Sequence, residues 1–436
     1  MSCLNTAKIL FPSSEIDIAK WAVVACDQYT SQPEYWEDVL DIVRDVPSSF
    51  HITLPEIYLE DDDVGEKTDG IHKNMSDYIN QGKLIELPEG LMLVERYSGG
   101  EHPRRGIVLE IDLESYDFNK NSASPIRPTE KTIVERIPPR LKVRQNADVE
   151  LPHVMLIIDD PAQKIIEPLF EQTSDFKCVY DVDLMQKGGH ISGYLIEKGN
   201  KTDDILADLN SLFDEQVFAE KYKLEQGKYP VLPFAVGDGN HSLATAKSHW
   251  LEIKATLTAD EQENHPARFC LVEIVNIHEP CLIIEPIHRV MFDTNVKDLL
   301  EHAIEFFANH GSETEICDTY PQDVQNTHIF PFYTKEDSKF LLVKNPKWAI
   351  AIATLQTFLD DYLEKNKACR IDYIHGADVT ESLANAENTI GFILPDLEKG
   401  DIFKGVILDD VLPRKTFSMG EAHEKRYYME ARKITV

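Results

Sequence analysis

The stretch Val236-Gly237-Asp238-Gly239-Asn240-His241-Ser242 decides the fold of this chain, because it joins two segments of different periodicity. The apolar run 229–236 predicts a short buried strand, and the pattern over 242–257 predicts a helix with few breakers. Gly237 and Gly239 permit a sharp turn and a close backbone approach. The amides of a first helical turn form an anion site, which the helix dipole favours. This strand-to-helix switch therefore predicts an anion site.

The same loop places four polar groups within five positions: a carboxylate at Asp238, a carboxamide at Asn240, an imidazole at His241 and a hydroxyl at Ser242. The alternative is an ordinary loop in which Asp238 or Asn240 caps the helix. Capping accounts for one residue and leaves His241 unexplained. The pattern favours a functional loop, with Asp238 and His241 as catalytic candidates.

The composition is that of an ordinary globular protein, with 42% hydrophobic and 28% charged residues among 436. A formal net charge of −32 argues against a broad surface for duplex nucleic acid or an anionic membrane. A small anionic ligand stays open, because a local nest of amides and basic side chains outweighs a distant field. We therefore expect neither nucleic acid nor a membrane as a partner.

The sequence carries no apolar stretch of about 18 residues, and residues 1–8 lack the apolar core of a signal peptide. The seven cysteines are scattered, odd in number and without a Cys-x-x-Cys pair. Neither a zinc ribbon nor a disulfide framework is therefore predicted. A reducing cytoplasm is the expected compartment.

Periodicity divides the chain into three regions with soft boundaries, or into one continuous unit. Residues 1–120 mix strand and helix signals, and residues 121–290 alternate them around the glycine-rich loop. Residues 291–436 open on an amphipathic helix and end in a basic tail. The predicted class is mixed α/β (α+β) in several layers.

Individual elements follow from the same patterns. Apolar runs predict strands at 21–26, 151–159 and 281–284, and a helical period predicts helices at 34–43, 203–223 and 295–309.

A local reversal of charge sign marks residues 127–144, where four arginines and two lysines stand against two glutamates. Arginine holds phosphate by bidentate donation, so Arg140 is a candidate phosphate contact. Glu130 is a candidate general base or magnesium ligand. A solvated basic loop is an equally good interpretation.

Further basic residues complete the candidate set. His288 and Arg289 follow an apolar run, where structural pairing with a carboxylate is favoured over chemistry. Lys415 belongs to a basic cluster at 412–428, which either closes over a phosphate or forms a charged terminal helix.

Two common nucleotide motifs are missing. There is no Gly-x-x-x-x-Gly-Lys-Ser/Thr loop, and Gly237-x-Gly239-x-x-Ser242 lacks the third glycine of the dinucleotide fingerprint. The sequence therefore predicts neither an ordinary P-loop NTPase nor a Rossmann dehydrogenase.

The chain resembles the domain-of-unknown-function 1015 (DUF1015) family nearly end to end. The resemblance rests on the 237–242 loop, on Arg127-Pro-Thr-Glu-Lys-Thr132, on Pro286-Ile-His-Arg289 and on the closing 412–418 segment. The Asp-Gly-x-His element at 238–241 is also similar to the ParB/sulfiredoxin-like superfamily. Members of that superfamily bind nucleoside triphosphates at a loop entering a helix, and they include free-serine kinases. The resemblance implies a ParB/sulfiredoxin-like core around the loop.

The loop departs from its relatives at two positions. Many relatives carry Asp-Gly-His-His-Arg, where this chain has Asn240 and Ser242 in place of a histidine and the arginine. In such relatives the arginine at the position of Ser242 would bind phosphate. In this chain Lys247, Arg140 or Lys415 has to supply that contact instead.

The resemblance implies a phosphotransferase that uses ATP or ADP with Mg²⁺ to phosphorylate a small hydroxylated metabolite, with free L-serine the leading acceptor. In that mechanism the backbone of Gly237, Gly239, Asn240 and Ser242 cradles phosphate, and His241 stabilises the developing charge. Asp238 and Glu130 share the roles of metal ligand and general base, in an order that the sequence leaves open. A non-catalytic nucleotide-binding regulator and a nucleotide hydrolase are the alternatives.

Overall fold

The computed structural model describes residues 3–25, 28–59, 61–282, 284, 286–322, 325–413, 416 and 422–436. Within these ranges the helices are α1 Pro33–Val43, α2 Val64–Asn80, α3 Ile137–Arg144, α4 Glu167–Phe170, α5 Asn200–Asn210, α6 Glu215–Tyr222, α7 Asn240–Lys254, α8 Ala259–Asn264, α9 Val296–Asn309, α10 Ala351–Lys365, α11 Ala377–Ala384 and α12 Lys399–Asp409. The strands are β1 Leu4–Asn5, β2 Leu10–Pro12, β3 Leu84–Glu86, β4 Gly90–Tyr97, β5 Arg104–Asp112, β6 Ile126–Pro128, β7 Val149–Glu150, β8 Met155–Ile158, β9 Lys177–Asp183, β10 His190–Glu197, β11 Phe234–Asp238, β12 Phe269–Asn276, β13 Ile287–Phe292, β14 Glu313–Cys317, β15 Thr327–Tyr333, β16 Ser338–Lys344, β17 Arg370–His375, β18 Ile390–Phe392 and β19 Arg432–Lys433. The fold is mixed α/β, which confirms the class predicted from the sequence.

The chain divides into two compact units. The first unit holds Met1–Pro128, Thr132–Ile283 and Met419–Val436, and the second holds Thr129–Lys131 and Ile284–Ser418. The finer division into regions 1–120, 121–290 and 291–436 stays a prediction.

The first unit is built on a sheet that has nine strands among the described residues. Its order is β6-β11-β8-β12-β5-β4-β10-β9, with β1 beside β5. Most neighbours are antiparallel, but β11 runs parallel to β6, and β12 runs parallel to β8. Because β11 is antiparallel to β8, its last residue, Asp238, pairs with Met155 at the start of β8. The glycine-rich turn therefore lies at the sheet edge where β8 begins.

Both faces of this sheet are buried. In β4, Met92 and Val94 belong to one apolar cluster, and Leu91 and Leu93 belong to another. Successive side chains of a strand point to opposite faces, so the alternation shows two covered faces. Residues of α1 and α2 pack in the first cluster, and residues of α5 and α7, including Trp250, pack in the second. This packing fixes α7 against the sheet and so fixes its first turn.

The second unit is a separate antiparallel sheet with helices. Its strands follow the order β14-β16-β15-β18-β13-β17. Phe330 and Phe392 on the sheet are fully buried, as are Phe307 of α9 and Phe358 of α10. Four large apolar side chains at zero exposure give this unit a core of its own.

Some predicted elements differ from the structure. Residues 21–25 are buried but form no strand within the described residues, and an isolated bridge joins Val24 to Arg426. The helical pattern at 203–223 is divided between α5 and α6, and the described residues of 281–284 form no strand. The two strand predictions were wrong because an apolar run reports burial and does not report a pairing partner. The helical prediction was right over most of its length, and only the break between α5 and α6 was missed.

None of the helices in the described ranges has the length and the apolar run that crossing a membrane would take.

Candidate functional site

A single residue, Gly239, separates β11 from α7. Its backbone lies in the left-handed region, with φ of 81° and ψ of 23°. A Cβ atom added there would lie 2.9 Å from the Cα of Val154 and 3.3 Å from the carbonyl oxygen of His153. Both the dihedral angle and the close approach therefore require glycine.

The first turn of α7 begins without a side-chain cap among the described residues, because its N-cap is Gly239. The Oδ1 atom of Asp238 instead accepts a hydrogen bond from the Gly239 amide, at 2.8 Å. The capping alternative for Asp238 and Asn240 therefore does not hold. The first-turn amides are directed toward the loop, where the helix dipole favours an anion.

Asp238 also faces a cation from the C-terminal segment. Its Oδ2 atom lies 3.3 Å from the Nζ of Lys425, and each side chain is 24% exposed. A carboxylate and an ammonium at this separation and exposure attract each other weakly enough to exchange partners with a charged ligand.

The imidazole of His241 is oriented by a backbone amide. The N–H of Ile133 donates to Nε2 of His241 across 3.2 Å. Since Nε2 accepts, Nδ1 carries the ring proton, and the imidazole is the neutral tautomer that donates from Nδ1. His241 is thus held as a hydrogen-bond donor at the second position of α7.

The remaining polar residues of the turn lie against the start of β8. The hydroxyl of Ser242 is 3.3 Å from Nε2 of His153, whose ring meets Tyr427 edge-on at 5.2 Å between centroids. The Oδ1 atom of Asn240 is buried and has no hydrogen-bond partner among the described residues. A buried carboxamide oxygen without a hydrogen-bond partner is unusual in proteins. A hydrogen-bond donor on a bound ligand is one way to satisfy it.

Two predicted phosphate contacts are bound to other protein groups. The ammonium of Lys247 donates to the carbonyl of Leu113 at 2.8 Å, and burial lowers its pKa. The guanidinium of Arg140 pairs with Glu56 and also donates to the carbonyl of Arg136. In this structure neither head is directed at the turn, and their role in phosphate binding stays a prediction.

Three predicted site residues that the structure describes belong to the second unit. Glu130 forms an isolated bridge with Leu412. His288 accepts a hydrogen bond from the Leu394 amide at Nδ1, across 3.2 Å, and burial lowers its pKa. Arg289 is fully buried.

The Arg289 guanidinium is engaged on several sides. Nε donates to Gln356 at 2.6 Å, Nη1 donates to the carbonyl of Ile287 at 2.6 Å, and the group lies 4.6 Å from the ring centre of Tyr373. These contacts match the structural role that the sequence favoured for Arg289, and those among the described residues include an amide oxygen, a carbonyl and a ring. Lys415 lies outside the described residues.

Sequence reasoning did not single out Lys425 or His153. Lys425 belonged to a basic cluster that the sequence marked as a whole, so its charge was a usable signal. His153 gave no signal, because its place beside Ser242 depends on the pairing of β8 with β11.

The described residues also limit how a metal would be held. Within those ranges no group of three His, Cys, Asp or Glu side chains is arranged to bind a metal ion. Magnesium is commonly held by substrate phosphates and only one or two carboxylates. The carboxylate of Asp238 can supply one such oxygen, which fits a metal brought in with a nucleotide.

The fold and the turn together define a mixed α/β protein with a polar strand-to-helix turn at Gly239. The chain belongs to the family described as protein of unknown function (DUF1015), whose model matches residues 8–362. No curated protein matches the chain.

Several solved structures are weakly similar. A free serine kinase mutant in complex with AMP is 10% identical, with 72% of this chain and 88% of that chain covered and a TM-score of 0.38. A conserved hypothetical protein from Pyrococcus furiosus is 11% identical, with coverage of 72% and 90% and a TM-score of 0.34. SbnI with a C-terminal truncation, from Staphylococcus aureus, is 9% identical, with coverage of 72% and 83% and a TM-score of 0.35.

Proposed function

We propose that this protein is a phosphotransferase that uses ATP or ADP to phosphorylate the hydroxyl of a small metabolite, with free L-serine the leading acceptor. The observation that carries the proposal is the Gly239 turn. It brings an acid, a neutral imidazole donor and a hydroxyl to the uncapped first turn of α7, a 15-residue helix. The Asp-Gly-x-His element that resembles free-serine kinases lies at this same turn.

The turn supplies the groups that phosphoryl transfer needs. The amides of Asn240 and Ser242 would bind phosphate oxygens, and His241 would donate from Nδ1 to the charge that develops on the transferred group. Lys425 would add a cation once a phosphate draws it from Asp238.

In the proposed step, the acceptor oxygen forms a bond to the terminal phosphorus as the bond to the leaving phosphate breaks, and a carboxylate takes the hydroxyl proton. Asp238 and Glu130 are the two candidate carboxylates. Asp238 would hold magnesium if Glu130 is the base, and the reverse assignment exchanges these roles. Lys247, Arg140, His288, Arg289 and Lys415 stay in the proposal as phosphate contacts to be tested singly.

The test is a turnover measurement followed by phosphorus NMR. Purified protein is incubated with magnesium and ATP or ADP, with and without L-serine and a panel of other hydroxylated metabolites. We expect a new phosphomonoester that needs the acceptor and that is absent with Asp238→Asn or His241→Ala. A matched control is His102→Ala, an exposed histidine far along the chain from the turn, which should leave turnover unchanged.

Two outcomes would replace the proposal. Release of inorganic phosphate without any acceptor would indicate a nucleotide hydrolase. Thermal stabilisation by nucleotide without turnover of any acceptor would indicate a non-catalytic regulator.

A further inference from the structure

A cavity of about 270 Å³ lies wholly within the second unit. Its walls come from the start of α10 (349–352), the segment after β18 (394–397), His328 of β15, and Asp401 and Lys404 of α12. Pockets for drug-sized ligands span roughly 300 to 1,000 Å³, so this cavity suits a small metabolite.

The cavity combines apolar walls with charges of both signs. Ile350, Ile352 and Leu394 supply apolar surface, and the charged groups are Lys404 and the carboxylates of Asp396 and Asp401. A lining of apolar side chains with a few polar groups is typical of a small-molecule site.

The three charged groups lack close ion-pair partners among the described residues. Within the part of the chain that the structure describes, Lys404 makes no ion pair within 4.0 Å, and neither do Asp396 and Asp401. Burial raises the pKa of Asp401, and the charge of Lys404 acts on that carboxyl in the opposite direction. Lys404 is only partly exposed, and a ligand carboxylate can approach its ammonium more closely than any carboxylate of the described residues does.

His328 adds a polar ring to the same cavity. Its Nδ1 atom lies 2.9 Å from the hydroxyl of Thr354, and that hydroxyl donates to the carbonyl of Ile350. Burial lowers the pKa of His328 to about 4, so the ring stays neutral near pH 7.

We propose that this cavity binds a free α-amino acid, with the carboxylate on Lys404, the ammonium between Asp396 and Asp401, and an apolar side chain against Ile350, Ile352 and Leu394. One cation and two carboxylates around an apolar space match a zwitterion better than an anion, because an anion would leave both acids uncompensated. The proposal is independent of phosphoryl transfer, since the binding needs no nucleotide.

The test is a calorimetric titration of the full chain, without nucleotide, with L-leucine, L-valine, L-alanine and L-serine. Isocaproate and isoamylamine serve as analogues of leucine that each lack one of its two charges. We expect at least one amino acid to bind saturably and both analogues to bind at least about tenfold more weakly, a factor worth about 1.4 kcal/mol.

Variants assign the binding to this cavity. Lys404→Met and Asp401→Asn should each weaken the binding of the amino acid by about tenfold or more. Lys367→Met removes the same charge at an exposed position in the same unit and should leave binding unchanged. Circular dichroism of each variant verifies that it folds. If a variant does not fold, the comparison of the amino acids with isocaproate and isoamylamine on the wild type still tests the proposal.

Three results would overturn the proposal: no binding of any of the four amino acids, equal binding of isocaproate and L-leucine, or wild-type affinity in Lys404→Met. Equal binding of isocaproate would show a plain anion site.

Discussion

Gly239 is the residue on which the geometry of the turn depends most directly. Replacing it with alanine imposes a left-handed backbone on a residue with a side chain, and it also places Cβ 2.9 Å from the Cα of Val154. The first effect alone costs about 1 to 2 kcal/mol. We therefore expect Gly239→Ala to lower the free energy of unfolding, measured in urea, by more than that amount.

Gly82→Ala is the matched control for this prediction. Gly82 has a similar φ of 69°, but an added Cβ meets nothing within 4 Å. The difference in lost unfolding free energy between the two variants measures the cost of the close approach to Val154, just before β8. Equal losses in Gly239→Ala and Gly82→Ala would contradict the packing described for the turn.

Glu430 is a buried carboxyl that gives the protein a pH-dependent stability. It is 1% exposed and accepts a hydrogen bond from the hydroxyl of Tyr180 at 2.8 Å. Burial raises its pKa from 4.5 to about 7. Because the pKa is higher in the folded state, the stabilisation is complete below pH 4.5 and is lost as the pH rises through about 7.

We expect Glu430→Gln to remove this dependence, because glutamine keeps the acceptor oxygen and does not ionise. Relative to this variant, the wild type should lose on the order of 2 to 3 kcal/mol of unfolding free energy between about pH 5 and about pH 8. Urea titrations at both pH values measure the difference, with exposed Glu101→Gln as control. A difference that stays constant with pH would show that Glu430 does not titrate in this range.

At the residue scale, the sequence predicted the strand-to-helix turn but not the partners of the polar side chains around it. The residue types from Asp238 to Ser242 already indicated a turn before a helix. The cation beside Asp238 comes from Lys425, which is remote in sequence, and the head of Lys247 is turned to Leu113. The charge of a residue does not reveal which group its side chain will contact, because tertiary packing decides the direction of the side chain.

At the scale of elements, β5 and β12 are joined by a buried ion pair. Arg104 donates to both carboxylate oxygens of Glu273, at 3.3 and 2.8 Å, and the Glu273 side chain is 1% exposed. Gly106 makes room for this carboxylate, since a Cβ there would lie 2.5 Å from Oε1. Removing one partner leaves a buried charge without compensation.

We expect Arg104→Met to cost about 3 to 5 kcal/mol of unfolding free energy. The double variant with Glu273→Met should lose less than this single variant, because both buried charges are then gone. A double-mutant cycle in urea measures the coupling. Strictly additive losses would mean that the pair does not couple the two strands.

Elements with a clear period were predicted well from the sequence. The helix expected at 34–43 is α1, the helix expected at 295–309 is α9, and the strand expected within 151–159 contains β8. The strand prediction at 21–26 failed because its described residues, 21–25, are buried and pair with the described part of the chain only through the isolated bridge of Val24 to Arg426. The position of the turn beside β8 also required the sheet order, which local patterns do not encode.

At the scale of the whole molecule, the formal charge of −32 would oppose the approach of the nucleotide that the proposed function requires. A polyanionic ligand is repelled by the distant field, and salt screens that repulsion beyond a Debye length of about 10 Å at 0.1 M. We expect the association rate of a fluorescent ADP analogue, measured by stopped flow, to rise with salt up to about 0.15 M. A rate that falls with salt would show that local basic groups dominate the approach.

The central claim is that the first turn of α7 binds the phosphates of a nucleotide, and calorimetric titration with Mg·ADP tests it most directly. The account predicts saturable binding to the wild type and to the exposed control His102→Ala, and at least about tenfold weaker binding to His241→Ala. Equal affinity in all three proteins, or no binding by the wild type, would contradict it.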